Sequence, residues 1–417
     1  MRGWFLCWLL LPLGVPAEEL AVATTDGEEI PVVTHPAAGD QLLLWFASEA
    51  GPRPAEEVLA DTLAARGVSV WRPDLLAARF LPLAESSFAK IPPGDVAAVL
   101  DAAVAQGARQ VYVVASGRSA MPVLRGLRHW QAAGGEGKRL TGVILISPKL
   151  FVRTPPPGEA GELLPIVHAS NLPIYWLQPA LSPWYWQRTR IYAALQAGGS
   201  DVFLRVLHRV RDRFYFRRDA NPAEQALSRR LPILLETAMR SLASLPARRR
   251  VPPPLQSAPS EAGGGRQAGI LRVFSGDPEP PPLRLPDLDG REVALGDYRG
   301  QVVLVNFWAS WCPPCVHEMP SMQRLADALA GQPFTILAVN MAEQPQTVRQ
   351  FLREKVKVAF PVLLDSQGEA LGQWRVYAFP TSFIIDRRGR IRYALFGAAE
   401  WDDPAIVMTL RTLLDAK

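Results

Sequence analysis

Cys312 and Cys315, two residues apart, are the chemically reactive pair of this 417-residue chain; the third cysteine, Cys7, lies near the N-terminus. A loop of two intervening residues adds little stability, because a cross-link stabilises by restricting the loop it closes. The pair suits reversible exchange instead. One thiolate attacks a partner's disulfide, and its neighbour resolves the mixed disulfide. Half of a zinc site is a poorer reading, since there is no second cysteine pair and His317 alone cannot complete four ligands. Covalent haem attachment needs His directly after the second cysteine, where Val316 stands. No metal and no cofactor is expected.

Position matters as much as spacing. The apolar run 302–308 reads as a buried strand leading into a turn that opens a helix. Cys312 then meets the unpaired N–H groups and positive dipole end of the helix, which favour thiolate over thiol. Pro313 and Pro314 suit the first turn, having no N–H to leave unbonded. Cys315, three residues on, shares the helix face and resolves what Cys312 attacks. Phe379-Pro380-Thr381 precedes a strand, where a cis Pro380 would set its loop against the disulfide and hold the partner's backbone. Glu343, after the strand 334–340, is the candidate carboxylate: burial would raise its pKa and let it take the proton of Cys315.

Residues 283 to 416 resemble the TlpA/ResA branch of the thioredoxin superfamily. The resemblance is carried by the strand 302–307, by Trp311-Cys-Pro-Pro-Cys-Val-His-Glu-Met-Pro320, by Asn340-Met-Ala-Glu343 and by Phe379-Pro-Thr381. It implies a thioredoxin-like fold, a reducing role toward protein disulfides of the cytochrome c maturation type or related, and electrons from a membrane thiol–disulfide carrier. It also implies that Trp311, Phe379 and Thr381 bind substrate beside Pro380. Asn306 stands where many thioredoxins carry a buried acid; in this branch the acid moves to the place held here by Glu343. A peroxiredoxin reading lacks the Pro-x-x-x-Thr-x-x-Cys pattern.

The chain's beginning bears on compartment. Met1-Arg2, an apolar run at 4–13 and small residues before Glu18 read as a signal peptide, residues 1–17, cleaved after Ala17. Export to the periplasm follows, with no stable membrane insertion after cleavage, since no later segment is long and apolar enough to span. A net charge of +5 and basic runs at 205–218 and 248–250 resemble no nucleic-acid module, so nucleic acid is not expected.

Residues 18–245 alternate strand and helix. A hairpin at 20–34 is followed by apolar runs at 41–47, 68–72, 110–115, 141–147, 172–177 and 202–207, with helices at 54–66, 94–106, 119–133, 186–197 and 222–245. That order implies a doubly wound α/β sheet and resembles an α/β-hydrolase. The family's nucleophile elbow should follow the strand 110–115. One register puts Gly117 at the nucleophile, the other Ser119 with bulky Met121 behind it. His208 ends the last strand, yet 178–182 hold no carboxylate to orient it. The domain therefore reads as a degenerate, non-catalytic hydrolase scaffold, with Tyr175, Trp176, Trp184, Tyr185 and Trp186 as pocket or packing. Residues 246–282, rich in Pro, Gly and Arg, read as a disordered linker to the redox domain at 283–417. Two other functions stay open: an esterase using Ser119 with an accessory redox domain, and a binding module whose cysteines only sense redox state.

Overall fold

The computed structural model describes residues 17–135, 139–246, 250–255 and 269–416. The expected signal peptide, residues 1–17, lies outside them except for Ala17. Two compact units divide the chain. The first takes in the chain to Leu150, Leu164–Ala180 and the stretch from Arg188 into the linker; the second takes in Phe151–Leu163, Leu181–Gln187 and the C-terminal part.

The first unit is built on eight strands, β1 (Glu18–Ala23), β2 (Glu29–His35), β3 (Gln41–Phe46), β4 (Val68–Pro73), β5 (Gln110–Ser116), β6 (Leu140–Ile146), β7 (Ile174–Pro179) and β8 (Val202–Leu207). Their spatial order is β1-β2-β4-β3-β5-β6-β7-β8. Strand β2 pairs antiparallel with both of its neighbours, and the pairs from β4 to β8 are parallel. The helices are α1 (Pro54–Ala64), α2 (Pro93–Ala105), α3 (Ala120–Ala132), the short α4 (Pro165–His168), α5 (Arg188–Ala197) and α6 (Pro222–Ala243). Helices cover both faces, so β3, β5 and β7 are buried nearly throughout. Helix α6 starts on a reciprocal cap: Asn221 Oδ1 accepts from Glu224 N at 2.9 Å, and Glu224 Oε2 accepts from Asn221 N at 2.9 Å. The chain reverses its direction of winding between β3 and β5, which makes their C-terminal ends the switch point of the sheet.

The second unit contains β9 (Arg272–Val273), the hairpin β10 (Arg284–Pro286) and β11 (Glu292–Ala294), then β12 (Val302–Trp308), α7 (Pro313–Ala328), β13 (Phe334–Met341), α8 (Pro345–Glu354), β14 (Val362–Asp365), α9 (Glu369–Gln373), β15 (Thr381–Ile385), β16 (Ile391–Phe396) and α10 (Pro404–Asp415). Six strands form a mixed sheet in the order β14-β13-β12-β15-β16-β9. Central β12 is parallel to β13 and antiparallel to β15. Its seven residues are all buried, with Leu304 and Trp308 in the cluster that also contains Met319 and Met322 of α7.

The disordered-linker expectation is corrected at both described ends of 246–282. Asn171 Nδ2 donates to Val251 O at 2.6 Å, Arg128 donates to Pro253 O, and Arg250 pairs with Asp201. Further on, β9 pairs with β16, and Ile391 N donates to Pro278 O at 2.7 Å. A proline-rich stretch cannot bond its own carbonyls, so neighbouring donors satisfy them where it lies against a packed unit. Residues 256–268 lie outside the described residues.

Leu304 is fully buried in β12. Leu304→Ala is expected to cost about 2–5 kcal/mol through lost transfer energy and a residual cavity, read as a lower denaturant midpoint for the transition that carries Trp308 fluorescence.

Candidate active site

Strand β12 ends at Trp308, and the turn that follows delivers Cys312 as the N-cap of α7, with Cys312 N donating to Ala309 O at 3.1 Å. Pro313 and Pro314 occupy the first turn, where their missing N–H groups cost nothing. Cys312 and Cys315 are joined, with their Cα atoms 5.3 Å apart, and the Cys315 amide N–H points at the Cys312 sulfur at 3.3 Å. That contact is the polarised helix end acting on sulfur. Cys312 is 5% exposed and Cys315 0%, so Cys312 is the less buried member of the pair.

The turn is held from below. Glu343, just past β13, accepts from Ser310 N at 2.6 Å, from the Ser310 hydroxyl, and from Asn340 Nδ2 at 2.8 Å. Glu343 thus reaches the turn before Cys312 through Ser310. Its carboxylate anchors the turn entering Cys312, because left-handed Ala342 at φ 55° directs the chain beyond β13 toward Ser310.

The buried acid is Glu318, three residues beyond Cys315 on the same face of α7 and fully buried. Burial pushes its carboxyl up to about 7, against the opposing pull of hydrogen bonds from Trp401 Nε1 at 3.0 Å and Asn306 Nδ2 at 2.8 Å. Asn306 also reaches Ser382 Oγ at 2.9 Å, which ties β12, α7 and β15 behind the cysteines. Sequence reasoning quoted Glu318 inside its motif without assigning it work. The available signal was its place: a carboxylate on the apolar face of a helix, one turn past a reactive pair, has to be buried.

The Phe379–Pro380 peptide is cis, and Phe379 packs edge-on against Trp311 at 5.9 Å between centroids. Thr381 is buried and its hydroxyl donates to Ala378 O at 2.8 Å, closing the loop. Trp311 and Phe379 both pack against the cluster that holds Cys312 and Cys315. The sequence of this part of the chain is similar to that of known proteins. Residues 277–394 match the AhpC/TSA family. Thiol-disulfide oxidoreductase ResA of Geobacillus thermodenitrificans is 40% identical over 123 residues, 30% of this chain and 70% of that protein. Sporulation thiol-disulfide oxidoreductase A of Bacillus subtilis is 33% identical over 112 residues, 26% of this chain and 67% of that one. The chain belongs to the ResA-like thiol-disulfide oxidoreductases. A solved structure of a DsbE-type thiol:disulfide interchange protein from Chlorobium tepidum is 32% identical, covering 33% of this chain and 94% of that one, with a TM-score of 0.29.

The ResA-like match lies in the C-terminal part of the chain, and the residues singled out in the first unit form no comparable site. Ser119 is buried, and its hydroxyl donates to Ser116 O (2.9 Å) or Phe46 O (3.2 Å) while accepting from Ser116 N (3.0 Å). His208 is exposed, and no hydrogen bond joins it to Ser119 among the described residues. Gly117 sits left-handed at φ +59°, and a Cβ there would lie 2.3 Å from Glu49 Oε2. The Glu49 carboxylate accepts from Lys149 Nζ at 2.6 Å, Arg213 at 2.8 Å and Arg118 N at 2.9 Å. Burial opposes ionisation of Glu49, but Lys149 and Arg213 outweigh it and hold the carboxyl well below the usual range.

The raised pKa of Glu318 has a measurable consequence. The folded protein holds this proton up to about pH 7, whereas the unfolded chain releases it near 4.5. Stability contributed by the neutral carboxyl is therefore lost as pH rises through that window and is level above it. Glu318→Gln is expected to remove this fall, about 3 kcal/mol in size, seen by comparing urea midpoints at about pH 5 and about pH 8.

Proposed function

We propose that this protein is an exported reductase of protein disulfides, exchanging through Cys312 and Cys315 and re-reduced by a membrane thiol–disulfide carrier. The observation that carries the reading is the arrangement of the pair, with one sulfur at the helix start, its mate buried beneath, and a neutral-range carboxyl one turn deeper.

In the reduced form, the Cys312 thiolate attacks a substrate S–S bond, making a mixed disulfide and releasing one substrate thiolate. Cys315 passes its proton to Glu318 and attacks the Cys312 sulfur. The second substrate thiolate leaves, two electrons have moved to the substrate, and the Cys312–Cys315 bond is closed. A donor dithiol then reverses the exchange. Trp311, Phe379, Pro380 and Thr381 bind the substrate chain alongside. Substrates of the cytochrome c maturation type fit the family resemblance. The proposed route includes removal of residues 1–17; among the described residues no helix is long and apolar enough to cross a membrane.

We read the first unit as a hydrolase-type scaffold without hydrolase chemistry. Open α/β sheets bind ligands at the switch point. Here Glu49 after β3 and Gly117 after β5 meet at that point, so the clamped carboxylate fills the place of a nucleophile's side chain. Serine-directed fluorophosphonate is accordingly expected to leave the protein unlabelled; labelling lost on Ser119→Ala would reverse this reading.

Cys312→Ser is expected to abolish insulin-disulfide reduction, and Cys315→Ser to accumulate mixed disulfides with substrate, visible on non-reducing gels. Full activity in both variants would remove the proposal.

A further inference from the structure

Resting on that reading of the disulfide site, we infer that Tyr377 is a positioning residue. It is held by two segments from the N-terminal half of the chain, Phe151–Leu163 and Leu181–Gln187, which belong to the second unit. Together they set the pose of the loop that docks substrate.

Tyr377 lies two residues before Phe379 and is 4% exposed. Its hydroxyl accepts from Gly161 N at 3.3 Å and from Gln187 Nε2 at 3.0 Å, and donates to Glu159 O at 3.0 Å. One donor and two lone pairs are the whole capacity of a phenol oxygen, and all are used. The ring is packed by Trp184 and Trp186, with centroids 5.1 and 5.2 Å away, and by Phe151 at 6.3 Å. Arg375, two residues earlier, donates to Gly158 O at 3.2 Å. Trp186 also covers Gly372 of α9, where a Cβ would lie 3.2 Å from its ring.

These contacts reach the active site by a short path. Two residues past Tyr377, Phe379 rests on Trp311, the neighbour of Cys312, and the Thr381–Ala378 bond closes the loop between them. The sulfurs themselves are held by different elements, β12, α7 and the Ser310–Glu343 contact. Loosening Tyr377 therefore moves the surface against which a folded substrate docks, while the exchange chemistry stays in place. A small disulfide that needs no docking surface should not register the change.

The test uses the full-length protein with two substrates, insulin and oxidised glutathione. In Tyr377→Phe and Trp184→Ala, KM for insulin is expected to rise about 3- to 10-fold, the size of one or two lost buried contacts, with kcat, the oxidised-glutathione rate and the reduction potential within about twofold of wild type. Gln187→Ala removes a single hydrogen bond and should shift KM in the same direction without threatening the fold. An unchanged KM in all three variants overturns the inference. So does a parallel fall in the insulin and oxidised-glutathione rates, which marks general damage rather than positioning. A wild-type protein inert toward both substrates instead removes the disulfide-exchange reading itself.

Discussion

A sulfur at a helix start is reactive only while that helix end stays fixed in place, and most of the second unit is devoted to fixing it. Strand β12 is buried on both faces and carries the chain straight into the Cys312 turn. The turn is tied to Glu343 from the neighbouring strand, and α7 is tied through Glu318 to Asn306 and Trp401. The helix dipole and the Cys315 amide can then act on one sulfur without the reorganisation that weakens such interactions in water.

Two carboxylates serve this arrangement in opposite ways. Glu343 takes hydrogen bonds from a backbone amide, a hydroxyl and a side-chain amide, and so ties the turn before Cys312 to the end of β13. Glu318 has donors too, but it is sealed under α7, and desolvation wins. The first unit repeats the contrast with the other outcome. Glu49 has a side chain nearly as hidden, yet three cationic or N–H partners surround it and hold its carboxyl well below the usual range. Burial alone does not decide a carboxyl's state; the charge of its partners does.

The switch point of the first sheet is built around an ion cluster. The strand order brings the ends of β3 and β5 together, and Gly117 adopts a left-handed conformation in the turn from β5 into the following helix. There the Glu49 carboxylate accepts from Lys149, Arg213 and the Arg118 amide.

Much of this was legible in the amino-acid order. The run 302–308 and the Cys-Pro-Pro-Cys spacing determine a strand, a turn and a helix start, because periodicity, proline geometry and capping are local properties. The alternation in residues 18–245 likewise follows from apolar runs long enough to be buried on both faces. What needed the tertiary structure was which distant groups meet. Glu318 owes its raised pKa to burial among partners such as Trp401, 83 residues on; the Arg118 amide bonds to the Glu49 carboxylate 69 positions away; Tyr377 is fastened to Gly161 across 216. Sequence determines the local elements, whereas desolvation and ion pairing depend on neighbours in space, and those are set only when the sheets close.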